Sequence, residues 1–196
     1  MDKELERRFL EAISRHLVSL PFDLKVLYEA LTNPDLEREA REVAAAAVVY
    51  VLSPSDMVVD RDRTLASYVD DLILLRAALK RVADSGGEKV SAFLERFPDE
   101  YAGLDDYLAL YSRALGDLYP WLTSKLDVFK KLAYKGRKAV DHIDDEEAAT
   151  FLYDEWLTFQ TDYDITEQSL AGRLRKVEPI LEALRRRRDE EARKIS

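Results

Sequence analysis

Hydrophobic positions recur with helical spacing along the whole chain. Phe9, Ile13, Leu17 and Leu20 predict a first helix that stops before Pro21. Pro21 suits the opening turn of a second helix, because the N–H it lacks has no intrahelical partner there. That helix carries Phe22, Val26, Leu27, Ala30 and Leu31, and it stops at Asn33-Pro34, since proline pushes the preceding residue out of the α region. A third helix begins near Asp35. It is polar through Glu42 and then apolar on all sides over residues 43–52, the pattern of a helix at the centre of a bundle. Ser53-Pro54 breaks it. A fourth carries Tyr68, Val69, Leu72, Ile73, Leu75, Leu79 and Val82 and ends at Asp84-Ser85-Gly86-Gly87, whose paired glycines are the strongest break in the chain.

Shorter patterns follow. Val90 and Leu94 mark one helix, and Leu104, Leu108, Tyr111 and Leu115 another; Pro120 opens a third with Trp121, Leu122, Leu126, Phe129 and Leu132, running out near Gly136. Asp144-Asp145-Glu146-Glu147 places negative charge where a helix start favours it, ahead of Phe151, Leu152, Trp156 and Phe159 on one face. The last helix, from about Thr166, has Leu170, Leu174, Val177, Leu181 and Leu184 at a/d spacing. Pro179 interrupts its backbone ladder, which favours packing inside the molecule over a seam with a partner helix. The fold class predicted is all-α, a compact multi-helix bundle of about eight helices. The glycine pair divides it into residues 1–84 and residues 88–196, the second region packed against the first as one unit.

Composition narrows the function. The chain has 196 residues, 30 Lys and Arg against 39 Asp and Glu, and a net charge of −9. Nucleic-acid binding is not expected, since its footprint is a basic surface. Charged residues make up 35%, above the roughly 25% of ordinary domains, which implies long solvated helix faces. The absence of cysteine excludes disulfides, thiolate zinc sites and a cysteine nucleophile, and it permits a reducing compartment. The charged, amphipathic start Met1-Asp2-Lys3-Glu4-Leu5 is unlike a signal peptide. The longest apolar run, over residues 43–52, is half of the about 20 residues that span a bilayer. A cytoplasmic protein without a transmembrane segment is the expectation.

Most catalytic signatures are missing. There is no His-Glu-x-x-His, Glu-x-x-His, Gly-x-Ser-x-Gly, phosphate loop or dinucleotide fingerprint. His16 and His142 have no spaced partner and read as structural or exposed, and Gly86-Gly87-Glu88-Lys89 reads as a helix stop. The basic run Arg185, Arg186, Arg187, Arg188 precedes Asp189-Glu190-Glu191 and reads as a solvated helix end, with peripheral contact to an anionic membrane as the lesser alternative. Tyr101, Tyr107, Tyr111, Tyr119, Trp121, Tyr153, Trp156 and Tyr163 concentrate aromatics in the second half, as core or as the lining of a ligand groove.

One segment carries a family likeness. Tyr50-Val51-Leu52-Ser53-Pro54-Ser55-Asp56, then Asp60, then Tyr68-Val69-Asp70-Asp71-Leu72 resemble the YkvA-like family, a small bacterial domain of unknown function, over about residues 20–82. Asp56, Asp60, Asp70 and Asp71 match that family's aspartate positions, while Val59 stands where it usually has proline. The resemblance implies a helical fold and brings no established reaction, cofactor or partner.

The same aspartates admit two chemical readings. Asp56 and Asp60 are four apart and share a face on a helical turn; folded back, Asp70 and Asp71 would join them in a carboxylate cluster suited to Mg²⁺ or Ca²⁺. With Mg²⁺ such a site could activate water or hold a phosphate. An EF-hand-like loop from Asp60 through Asp62 and Thr64 to Asp71 is opposed by Leu65 at the glycine position. The other reading is helix capping: Ser53-Pro54-Ser55-Asp56 and Ser67-Tyr68-Val69-Asp70 both place serine ahead of a first-turn acid, and Arg61 and Arg63 can neutralise the acids. The function expected is a non-catalytic interaction or scaffold module acting through a protein partner or self-association. The alternative is a divalent-metal-dependent enzyme using Asp56, Asp60, Asp70 and Asp71, with a phosphorylated substrate as one option.

Overall fold

The computed structural model describes residues 1–53, 67–170 and 174–195. Three long helices, α1 (Lys3–Thr32), α2 (Arg38–Leu52) and α3 (Ser67–Asp84), pack on one another. Around them lie α4 (Glu88–Leu94), α5 (Pro98–Tyr101), α6 (Leu104–Leu115), α7 (Leu118–Thr123) and α8 (Lys125–Phe129). A two-stranded hairpin, β1 (Ala133–Tyr134) and β2 (Arg137–Lys138), precedes α9 (Asp141–Asp144), α10 (Glu146–Asp162), α11 (Glu167–Leu170) and α12 (Glu178–Ile195). The fold is all-α, as the hydrophobic spacing predicts.

The all-round apolar run is the central helix. In α2 every residue from Val43 to Val51 is buried, and its alanines let α1 and α3 approach on either side. The core is continuous across the glycine pair: it reaches from Phe9 to Leu184, with α6 against α1 and α3 and α10 against α1. Gly86 (φ 69°) and Gly87 (φ 92°) adopt left-handed backbone that ends α3 without the steric cost a side chain would bring. Among the described residues no helix is long and apolar enough to cross a membrane.

Three boundaries differ from the sequence reading. The chain does not break at Pro21; α1 runs through it. Proline leaves the carbonyl four residues earlier without its donor, and here that carbonyl, Leu17 O, accepts the Tyr163 hydroxyl at 2.6 Å. Trp156 Nε1 donates to Pro21 O at 3.0 Å, so the proline turn is stitched from outside. The single helix expected to run out near Gly136 is instead two, α7 and α8, the second ending at Phe129, and Lys135 (φ 47°) and Gly136 (φ 84°) form the two-residue turn of the hairpin. Both turn residues need positive φ, and the backbone twist that results matches two antiparallel strands. Finally, the stripe from Leu170 to Leu184 is not one helix: α12 starts at Glu178, with Pro179 in its first turn, where no donor is lost.

Candidate functional site

Of the four sequence-predicted ligands, Asp56 and Asp60 lie outside the described residues, as do Asp62 and Thr64 of the EF-hand-like loop. Asp70, in the first turn of α3, and Asp71, which follows it, are both buried. The Tyr50 hydroxyl, near the end of α2, donates to Asp70 Oδ2 at 2.7 Å, and the Tyr50 ring stacks on Phe129 of α8 at 4.4 Å. Burial pushes the Asp70 carboxyl up to about 7, against the Tyr50 hydroxyl, first-turn N–H groups and the more distant Arg187 guanidinium. The Ser-x-x-acid pattern therefore marks a helix start, but its acid is enclosed rather than solvated. Among the described residues no three His, Asp or Glu side chains are grouped to hold a metal ion.

A second enclosed acid escapes the sequence reading. Asp23 of α1 and Arg76 of α3 are buried opposite each other, with Arg76 Nε 2.8 Å from Asp23 Oδ2 and Nη2 donating to Oδ1 at 2.9 Å. Arg76 also donates to Glu100 O at 2.8 Å and to Ser19 Oγ at 3.2 Å. Burial pushes the Asp23 carboxyl up to about 7, a rise that the Arg76 guanidinium only partly offsets. The signal was available: Asp23 interrupts the apolar face of Leu20, Leu24 and Leu27, and Arg76 lies within the run from Leu72 to Leu79. Nearby, His16 Nδ1 is 2.5 Å from the Tyr111 hydroxyl oxygen, and burial with the Arg76 and Arg15 charges holds His16 down to about 3. His142 is also buried, with Nδ1 2.8 Å from Ala148 O. The sequence reads both histidines as structural or exposed, and both are buried.

The four-arginine run is largely committed inside the molecule. Arg185 pairs with Glu178 at 2.9 Å, Arg187 with Glu190 at 4.0 Å, and Arg188 with Asp117. Arg186 is exposed.

An open cleft of about 900 Å³ lies beside the first half of α1. Leu10 and Val18 of α1 meet Leu170 of α11 and Leu174 on its floor, and Lys3, Glu6, Arg7, Glu11, Arg15, Glu167 and Arg175 form its rim. Most rim charges have partners. Arg7 bridges Glu4 and Glu11, Arg15 donates to the Tyr107 hydroxyl at 2.6 Å, and Glu6 accepts from Val177 N at 3.0 Å. Among the described residues Lys3, Glu167 and Arg175 form no ion pair, which leaves the rim with a positive surplus. Sequence reasoning missed this cleft. Its only sequence trace is Leu10, Ser14, Val18 and Phe22, four residues apart on one face of α1, of which Val18 and Phe22 stay exposed.

No family model, curated protein or solved structure matches the chain.

Proposed function

We propose that the protein is a non-catalytic interaction module that receives an acidic amphipathic helix of a partner protein in the cleft beside α1. The observation that carries this reading is the cleft itself: an apolar floor of Leu10, Val18, Leu170 and Leu174 under a rim with surplus positive charge, on a chain whose net charge is −9. A helix with apolar residues at i, i+3, i+4 and i+7 fills such a floor, and acidic flanks meet Lys3 and Arg175. The acidic remainder of the surface repels the same partner, which directs it to this face. The reading includes a cytoplasmic location, which the cysteine-free sequence permits. It also includes the YkvA-like character of residues 20–82, supported by the meeting of Tyr50 and Asp70, two residues that carry the resemblance.

The test is charge reversal. A labelled helical peptide with leucines on one face and glutamates beside them should bind the full chain by fluorescence anisotropy, and a lysine-flanked version should not. Lys3→Glu with Arg175→Glu should invert that preference, and salt should weaken it. Equal binding of both peptides, or of neither, refutes the reading.

A second reading is favoured by one observation. Asp70 Oδ1 is buried and accepts no hydrogen bond among the described residues, which leaves it capacity to ligate a cation. A divalent-metal site of Asp56, Asp60, Asp70 and Asp71 would then serve an enzyme. Calorimetric titration with Mg²⁺, Ca²⁺ and Mn²⁺ decides it: saturable binding lost in Asp56→Asn with Asp70→Asn supports the site, and no binding by the folded protein removes it.

A further inference from the structure

A smaller recess of about 230 Å³ opens where the end of α2, the start of α3, the hairpin and the C-terminal end of α10 meet, and it shares no lining residue with the cleft beside α1. Four of its lining residues are aromatic, Tyr68, Tyr134, Phe159 and Tyr163, and two are acids, Glu155 and Asp162. The Tyr68 and Tyr163 rings stand edge to face at 5.5 Å, and Phe159 tilts against Tyr163 at 5.3 Å. The Tyr163 and Tyr134 hydroxyls are already spent, on Leu17 O and Glu155 Oε2, so these two residues offer a ligand mainly their ring faces and edges.

Three observations give this recess a preference for positive charge. The first is a cation the protein already holds against two of the lining residues, Tyr134 and Glu155. Lys135 Nζ lies over the Tyr134 ring at 5.2 Å while donating to Glu155 at 2.7 Å. Burial alone would raise the Glu155 carboxyl, but Lys135 and the Tyr134 hydroxyl hold it below its ordinary value, so it stays charged. The second is Asp162, which is exposed and forms no ion pair among the described residues. The third is its position as the last residue of α10, a helix of 17 residues with no basic side chain in its last turn. A helix C-terminus already presents negative charge, so an acid placed there is unfavourable unless a cation comes to it.

We propose that this recess binds a methylated ammonium group, with the aromatic rings around the methyls and Asp162 and the α10 C-terminus opposite the charge. Ring faces carry negative potential and are poorly solvated, so they accept a weakly hydrated quaternary ammonium at lower desolvation cost than a primary amine. The volume is below the about 300–1,000 Å³ of sites for drug-sized ligands, which fits a headgroup rather than a larger molecule. A free choline-type solute and a phosphocholine lipid headgroup share this chemistry.

The experiment is an amide-resolved NMR titration of the full chain with choline and with 3,3-dimethylbutanol, its neutral isostere. Choline should shift the amides around Asp162 and Tyr163 saturably and bind at least tenfold more tightly than the isostere. Asp162→Asn, at an exposed position, should weaken choline at least threefold with helix content unchanged, and Phe159→Leu should abolish it. If Phe159→Leu fails to fold, Asp162→Asn alone decides. Flotation with phosphatidylcholine vesicles then separates the sources: co-flotation lost in Asp162→Asn supports a lipid headgroup, and choline binding without flotation supports a free solute. Equal affinity for choline and its isostere, unchanged affinity in Asp162→Asn, or no binding of choline overturns the proposal.

Discussion

Asp23 and Asp70 are both fully enclosed, one in the middle of α1 and one at the start of α3, yet they are compensated in different ways. Asp23 faces Arg76, a permanently charged fork that contacts both of its oxygens and is itself anchored on Glu100 O and Ser19. Asp70 faces a neutral phenol, Tyr50, with Arg187 too remote to contact it. A buried charge pair is costly to break, because removing either partner strands the other in low dielectric. A buried acid with a neutral donor has another escape, since it can keep its proton. The first arrangement works as a clasp between α1 and α3, and the second as a buried acid at the start of α3.

The largest effect should follow from breaking the clasp. Asp23→Asn is expected to cost about 3–5 kcal/mol in urea unfolding, because Arg76 loses its one ion-pair partner among the described residues while remaining buried. Adding Arg76→Met should recover much of that loss by removing the stranded cation. If Asp23→Asn cost under about 1 kcal/mol, Arg76 would be finding solvent and the contrast with Asp70 would fail. At the second acid, Tyr50→Phe should cost less, about 1–3 kcal/mol, the usual loss when a buried acceptor is left without its donor.

The same contrast shows what could be read from the sequence. Helix positions were legible because a buried face imposes its period, and the all-round apolar run over residues 43–52 does become the central helix. Continuity through Pro21 was not, because the groups that repair it, Tyr163 and Trp156, come from 146 and 135 residues away. The hairpin was missed because strands of two residues are too short to show alternation. Asp70 could be placed in a first turn, but its enclosure depends on Tyr50 and Phe129, which only the tertiary fold brings over it. The arginine run was read as solvated because its partner Asp117 is 71 residues away. Local rules found the helix ends, and long-range contacts decided which of their charges stay in water.

The smallest and most diagnostic effect concerns Asp70→Asn. In metal-free buffer at pH 4 the variant should lie within about 1 kcal/mol of wild type, since asparagine keeps an oxygen that can accept the Tyr50 hydroxyl and both side chains are then uncharged. Raising the pH should separate them. Burial lifts the Asp70 carboxyl from its ordinary 3.8 to about 7, so between those values the folded chain holds a proton that the unfolded chain releases. Stability from this group is therefore complete below pH 3.8, declines as pH rises, and is gone above about 7, with a slope of at most about 1.4 kcal/mol per pH unit. Asparagine has no such proton, so the variant should become the more stable protein toward neutral pH. His16, held down to about 3, adds the opposite slope to both proteins and cancels in the difference. Asp23→Asn removes a second carboxyl that burial pushes up to about 7, so its larger penalty should also shrink as pH rises. A pH-independent gap between wild type and Asp70→Asn would mean that burial does not raise the Asp70 carboxyl and that it is charged at every pH measured.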